Sequence, residues 1–315
     1  MIIVEKDRHM TRNEPFFSAH KDYDNWLINN SVLNSKENTY ISLGDWYTLA
    51  TPKPDEIDET ERFFNEFHCH KIILAGNHDF SDTDKIWSIY PLANSVNTEI
   101  ILEPCVRTIG NNTFAFLPFY KHLKNYPPMK EYYSNLGEEF VNADYVCYHF
   151  EDETINFGKN RKGIDISYLK GKRLGGHVHC SQKNYEIGMP IISRYDERNQ
   201  KNNLFCIKDK EEFFIDIPKF IDYYSVEYGK KLSEIEAKYP IWNIESAPSR
   251  KQAKEFYNNL KDYEIHEIKV LNKKEKQIEN HSNEKSIISI FNDYIEKRKD
   301  LTTESISRLR QIVSN

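Results

Sequence analysis

The stretch Ile72-Ile73-Leu74-Ala75-Gly76-Asn77-His78-Asp79 decides the predicted fold, because an apolar run gives way at once to polar residues. Four consecutive apolar residues suit a buried strand, and the glycine after them ends it. In layered α/β sheets, ligands collect at the ends of such strands. The stretch therefore predicts a buried strand whose end carries Asn77, His78 and Asp79 to a functional site.

The same change from apolar to polar residues recurs along the first two thirds of the chain. It predicts strands at residues 2–4, 40–43, 114–117 and 145–148, with closing strands at 187–190, 204–207 and 213–215. Amphipathic patterns between some of these strands predict helices over residues 18–30 and 56–67. Alternating strands and helices imply a layered α/β fold with polar loops at the strand ends.

The predicted strand ends supply aspartate, asparagine and histidine side chains. The residues concerned are Asp7 and His9, Asp45, Asn77 with His78, His149, and finally His177 with His179. In an extended segment alternate side chains point to one side, so Asp7 with His9, and His177 with His179, can each reach one metal centre or two adjacent ones.

These motifs, D-x-H, G-D, G-N-H-D, H and G-H-x-H in this order, resemble those of the calcineurin-like metallophosphoesterases. The resemblance covers roughly residues 1–215 and implies an αββα sandwich with two metal ions at the sheet edge. Matched residue by residue, it implies one ion held by Asp7, His9, Asp45 and His179, and another held by Asp45, Asn77, His149 and His177. Asp45 would bridge the two ions, and His78 would be the catalytic histidine that binds neither.

The residue types suit this chemistry. Two ions roughly 3.5–4 Å apart can clamp the attacking and leaving oxygens of a displacement at phosphorus. Mixed nitrogen and oxygen ligands suit Mn²⁺, Zn²⁺ or Fe better than Ca²⁺; the resemblance favours Mn²⁺ and leaves Mg²⁺, Zn²⁺ and Fe open. Further substrate contacts are predicted at His122 and at Arg8, although an extended segment would turn Arg8 away from Asp7 and His9.

Three further features are similar to the SbcD-type DNA nuclease subunits and their phage relatives. They are the Leu117-Pro118-Phe119 step, the run Tyr185-Glu186-Ile187-Gly188-Met189-Pro190, and an αβ module after residue 218. The module is predicted from strands at 241–245 and 263–271 and a helix at 248–260. The resemblance implies a nuclease domain (1–218), an αβ capping domain that contacts DNA (219–272), a charged linker (273–286) and a C-terminal helical hairpin (287–315).

On this interpretation the chain is a Mn²⁺-dependent DNA exonuclease and endonuclease subunit that processes double-strand breaks during repair and recombination. Its partners would be DNA, a second copy of the chain, and an SMC-like, SbcC-type ATPase that binds the C-terminal helices. Two alternatives stay open. One is a phosphatase or nucleotide phosphodiesterase of the same superfamily acting on small phosphoesters. The other is a non-enzymatic scaffold without metals, which the filled ligand positions disfavour.

The composition narrows the classes of protein to which the chain could belong. No apolar run approaches the ~20 residues needed to cross a bilayer, and the first residues lack the features of a signal peptide. The five cysteines have no framework spacing, which favours reduced thiols. We therefore expect no membrane association and a cytoplasmic location, in the host cytoplasm if the source is viral.

The net charge bears on how DNA would be held. The formal charge of −6 divides into −9 over residues 1–249 and +3 from Arg250 onward. Affinity for duplex DNA depends on cations that neutralise phosphates. The acidic balance thus predicts that a partner supplies most of the DNA affinity, and that the basic C-terminal segment faces that partner or the DNA.

Overall fold

In a computed structural model of the 315-residue chain, the described residues are 1–81, 86–119, 128–155, 163–179, 184–192, 194, 197, 200–230, 236–257 and 264–270. They form a mixed α/β structure with several sheets and few helices. The helices are α1 (Phe16–Asn29), α2 (Pro54–Glu66), α3 (Met129–Tyr132), α4 (Glu138–Val141) and α5 (Arg250–Tyr257), with a 3₁₀ turn at Tyr90–Asn94.

The strands of the described residues fall into four sheets. In chain order they are β1 (Ile2–Glu5), β2 (Thr39–Ser42), β3 (His70–Leu74), β4 (Phe80–Ser81), β5 (Ile86–Trp87), β6 (Thr98–Ile101), β7 (Cys105–Ile109), β8 (Asn112–Leu117), β9 (Tyr145–Tyr148), β10 (Lys172–Gly175), β11 (Asn203–Lys208), β12 (Glu211–Asp216), β13 (Ile221–Glu227), β14 (Tyr239–Ala247) and β15 (Glu264–Val270).

The first sheet has six strands in the order β12-β11-β1-β2-β3-β6. Strands β1, β2, β3 and β6 run parallel, whereas β11 runs antiparallel to β1 and β12 antiparallel to β11. Because parallel strands end at the same edge, the residues that follow β1, β2 and β3 meet there. Asp7, Asp45 and Asn77 are brought to this edge.

The second sheet has four strands in the order β10-β9-β8-β7, with β8, β9 and β10 parallel. His149 follows β9 and His177 follows β10. One apolar cluster joins the two sheets face to face; it includes Ile2, Val4, Ile41 and Ile72 of the first sheet and Phe114, Phe116 and Cys147 of the second. The packed faces hold the two sets of strand ends close together.

The opposite face of the first sheet is covered by helices. Ile3 and Ile73, which alternate along their strands with the residues between the sheets, share a second cluster with Tyr23 of α1 and Phe63 of α2. A third cluster covers the outer face of the second sheet and includes Val146 and Phe140. Because side chains alternate along each strand, even a short strand contributes apolar residues to the clusters on both faces of its sheet.

Most of the elements predicted from sequence are confirmed, with small shifts at their ends. The strand predicted at 187–190 is wrong, because that segment forms no strand. Gly188 N donates its hydrogen bond to the Asn203 side chain at 2.7 Å, and a Cβ at Gly188 would lie 1.7 Å from Lys201 O. The Gly188 N–H therefore bonds a side chain and not the backbone of a neighbouring strand.

The αβ module is present as α5 with a three-stranded sheet in the order β13-β14-β15. Strand β13 pairs in parallel with β14 and was not predicted. The chain divides into two compact units, Met1–Lys269 and Val270–Asn315. The linker and the C-terminal helices predicted at 273–286 and 287–315 lie outside the described residues. Within the described part of the chain, no helix is long and apolar enough to cross a membrane.

Lys71, in β3, is a buried cation far from the strand ends that meet at the site. Its side chain is 1% exposed, and Nζ donates hydrogen bonds to the carbonyl oxygens of Phe67 (2.7 Å) and Cys69 (3.0 Å). Burial disfavours the charged amine and lowers the pKa of Lys71 to about 8.

This shift predicts how stability depends on pH. Between about pH 8 and 10.5 the unfolded chain binds a proton that folded Lys71 has released, so the contribution of Lys71 to the free energy of unfolding rises with pH. The full shift corresponds to about 3 kcal/mol. Urea unfolding at pH 8 and pH 10 should give a change in the free energy of unfolding that is about 2 kcal/mol more positive in the wild type and in the exposed control Lys36→Met than in Lys71→Met. The same change in all three proteins would contradict the assignment.

Candidate metal centre

The loops after β1 and β2 are tied together by backbone hydrogen bonds. His9 N donates to Asp45 O at 2.9 Å, and Met10 N donates to Trp46 O at 2.8 Å. Asp7 and Asp45 are buried, at 0% and 1% exposed. The two carboxylates are thus set side by side by main-chain contacts.

Four of the predicted ligands adopt left-handed backbone conformations. The φ angles are 42° at Asp7, 50° at His9, 51° at Asp45 and 70° at His177. The extended conformation assumed for the D-x-H and H-x-H segments is therefore wrong. Non-glycine residues in this region cost about 1–3 kcal/mol each and cluster at functional sites.

Two glycines allow the loops to approach each other. A Cβ on Gly44, whose φ is 102°, would lie 2.4 Å from His149 Nδ1. A Cβ on Gly76 would lie 2.1 Å from Asp45 Oδ1. The G-D and G-N-H-D motifs need glycine because any side chain there would occupy the space of a predicted ligand.

One group of side chains surrounds His179. Its Nδ1 lies 2.6 Å from Glu197 Oε1 and so donates a proton to that carboxylate. Its Nε2 then faces His9 Nε2 at 3.0 Å and Asp7 Oδ2 at 3.9 Å. Asp7 Oδ2 is buried without a hydrogen-bond partner among the described atoms. Nitrogen and oxygen atoms from three side chains therefore point into one space.

A second group surrounds His149. Its Nδ1 lies 2.6 Å from Leu43 O and donates a proton to that carbonyl, which leaves Nε2 to face the other members of the group. This Nε2 lies 3.1 Å from Asp45 Oδ1 and 3.2 Å from Asn77 Oδ1. Asn77 Oδ1 also lies 2.6 Å from His177 Nδ1. Asp45, His149 and His177 together form a cluster that could hold a metal ion.

Asp45 stands between the two groups. Oδ1 faces His149, whereas Oδ2 lies 3.7 Å from His9 Nε2. Acceptor atoms this close repel one another unless a cation or a proton lies between them. The donor set therefore fits one or two divalent ions.

The charges in this cluster shift the pKa of several groups. Burial lowers the pKa of His9 to about 4, even though Asp45 and Asp7 raise it. Burial also disfavours charged His149, but Asp45 outweighs this and raises the pKa of His149 to about 9. Burial raises the pKa of Asp45, but His149 outweighs it and leaves that pKa below its ordinary value. The carboxylates thus attract positive charge to this place.

His78 belongs to the same loop but contacts the cluster differently. Its backbone N donates to Asp45 Oδ1 at 2.9 Å. Its Nδ1 lies 2.7 Å from Thr48 O and carries the proton of that hydrogen bond, which leaves Nε2 as the ring nitrogen for chemistry. Thr48 Oγ1 in turn donates to His9 O at 2.7 Å, so Thr48 orients both histidine-bearing loops.

Of the two predicted substrate contacts, the described residues contain only Arg8. Its guanidinium is fully buried and donates to Glu5 at 2.9 Å and to Asp24 at 2.6 Å, while Trp46 lies 4.3 Å from it. Arg8 therefore supports the packing of α1 and offers no surface to a phosphate, which corrects that prediction. His122 lies outside the described residues.

Sequence reasoning assigned no role to three carboxylates that support the site. Glu197 holds His179, and Glu151 Oε1 lies 3.3 Å from His177 Nε2. Asp79, the last residue of G-N-H-D, accepts hydrogen bonds from Trp46 N, Tyr47 N and Gly76 N at 2.9–3.3 Å. The motif could have indicated Asp79, whereas no pattern in the sequence marks Glu197.

No protein-family model and no curated protein matches the sequence. Among solved structures, the crystal structure of a protein of unknown function, AQ665 from Aquifex aeolicus, is similar with a TM-score of 0.29 and 17% identity. The match covers 52% of this chain and 82% of that one. A likeness this weak carries no argument about fold or function.

Proposed function

We propose that the chain is a metal-dependent phosphodiesterase of the calcineurin-like type, with an αββα sandwich and DNA as its substrate. The observation that carries this proposal is the convergence of nitrogen and oxygen atoms from seven motif side chains, among which Asp45, His149 and His177 form a cluster that could hold a metal ion. The order of the motifs along the chain supports the same interpretation.

The two groups of side chains correspond to the two expected ligand sets. Asp7, His9 and His179 would hold one ion, and Asn77, His149 and His177 the other. Asp45 would be shared, because its two oxygens face different groups. Bound divalent ions supply the charge that stabilises the attacking and leaving oxygens during displacement at phosphorus.

The chain's own residues would orient the ligand side chains and supply a proton to the leaving oxygen. Hydrogen bonds from Nδ1 to Leu43 O and to Glu197 fix the rings of His149 and His179, so that Nε2 of each faces inward. His78, held by Thr48 O, would stabilise negative charge on the phosphoryl oxygens or protonate the leaving oxygen from Nε2.

DNA and an SMC-like ATPase partner are proposed from the resemblance to SbcD-type subunits. The acidic chain would bind DNA weakly by itself, so a partner that contributes cations would raise the affinity for DNA, as the division of charge indicates. A homodimer and a cytoplasmic location, in a cell or in the host of a virus, belong to the same proposal.

A substrate panel tests the proposal on the full chain. Linear double-stranded DNA, single-stranded DNA and a small bis-aryl phosphodiester would each be incubated with Mn²⁺, with and without EDTA. We expect Mn²⁺-dependent hydrolysis of DNA that EDTA abolishes. Turnover of the small diester alone would favour the phosphoesterase alternative, and no hydrolysis with Mn²⁺, Mg²⁺ or Zn²⁺ would overturn the proposal.

A further inference from the structure

A cavity of about 190 Å³ opens beside the His9, His78 and His179 side chains. Its remaining lining comes from Thr11, Asn13, Phe16, Thr48 and Arg194. Pockets that enclose a whole small molecule usually measure roughly 300–1,000 Å³. The cavity is therefore large enough for one part of a substrate, and the rest of that substrate must lie outside it.

Arg194 is the cationic side chain of this lining, and its side chain is 64% exposed. Its ion-pair contact among the described residues is a distant one, with Nε 4.0 Å from Glu197 Oε1. That carboxylate already accepts a hydrogen bond from His179 at 2.6 Å. The guanidinium is thus presented to the cavity mouth and not neutralised in a close pair.

The backbone of Arg194 is fixed relative to the predicted metal ligands. Arg194 N donates to Glu197 Oε2 at 3.0 Å, and Glu197 N donates back to Arg194 O at 3.1 Å. Because Oε1 of the same carboxylate holds the His179 ring, Glu197 sets the position of Arg194 and His179 together. The backbone of Arg194 therefore lies at a defined place beside the site, and its side chain lines the cavity from there.

We propose that Arg194 binds a phosphate next to the scissile one and thereby selects polymeric phosphodiesters over small ones. This inference rests on the proposed function. Arginine recognises phosphate through paired N–H donors, and the site itself is rich in carboxylates, so a cation at its mouth is what a second phosphate requires. Phe16 lines the same cavity and offers an apolar face to the attached nucleoside.

The test compares two substrates in the full chain with Mn²⁺. One is a 5′-phosphorylated oligonucleotide, which carries flanking phosphates, and the other is a bis-aryl phosphodiester, which carries none. For Arg194→Ala we expect the ratio of kcat/KM, oligonucleotide over diester, to fall about tenfold to a hundredfold, mostly through KM. Arg194→Lys should restore part of the ratio, because it keeps the charge without the paired donors.

Lys208→Ala is the matched control. Lys208 is exposed and lies at the far end of the first sheet, since Ile207 pairs with Ile2 at the start of β1. It should leave the ratio unchanged. An unchanged ratio in Arg194→Ala, or an equal loss on both substrates, would overturn the inference. A wild-type protein that hydrolyses neither substrate would instead overturn the proposed function.

Discussion

Replacing Asp45 with asparagine is expected to remove metal binding and to lower kcat/KM for phosphodiester hydrolysis by more than about a thousandfold. The reason is the position of Asp45 between the two histidine groups, with one oxygen facing each. The substitution removes a negative charge. It also replaces one carboxylate oxygen with an NH₂ group, which is a hydrogen-bond donor and would not bind a cation.

The measurements are the metal content after dialysis against Mn²⁺ and the rate of DNA hydrolysis. Asp209→Asn is a matched control, because Asp209 has the same φ of 51° as Asp45 but lies in the turn after β11, at the far end of the sheet. The control should keep wild-type metal content and activity. Full metal content in Asp45→Asn would contradict the proposed role of Asp45 as a metal ligand shared by the two groups.

Replacing His78 with alanine is expected to lower kcat by about 10²–10⁴ while metal content stays at the wild-type level. The ring supplies Nε2 for charge stabilisation or proton transfer. The contact with Asp45, in contrast, comes from the His78 backbone N at 2.9 Å, and alanine keeps that contact. Activity and metal binding should therefore separate at this residue.

The comparison needs kcat, metal content and a thermal unfolding curve on the same preparations. His70→Ala is the control, since His70 is an exposed histidine at the opposite end of β3. It should match the wild type in all three measurements. A His78→Ala protein that keeps kcat within a few fold, or that loses its metal, would rule out the proposed role.

The sequence predicted the neighbourhood of the site well, for a physical reason. Short apolar runs have few alternatives to buried strands, and parallel strands bring their ends to one edge, so Asp45 and Asn77 could be placed together without a structure. The placement of His149 and His177 beside them came from the resemblance, which implied two packed sheets.

The details of the site did not follow from local pattern. The left-handed backbone at Asp7 and His9 depends on the hydrogen bond from His9 to the next loop, a contact between distant residues. The burial of Arg8 depends on Asp24 in α1, sixteen residues further along the chain. The backbone conformation and the burial of Arg8 both depend on residues that are distant in the sequence. No local periodicity could therefore have predicted them.

The arrangement of the two sheets has a mechanical consequence. Asp7 and Asp45 come from the edge of the first sheet, whereas His149 and His179 follow strands of the second. Any cation held by both sets would link the two sheets. Part of its binding free energy would then oppose sliding of one sheet over the other. Because each sheet supplies only some of the ligands, neither sheet alone would form the centre.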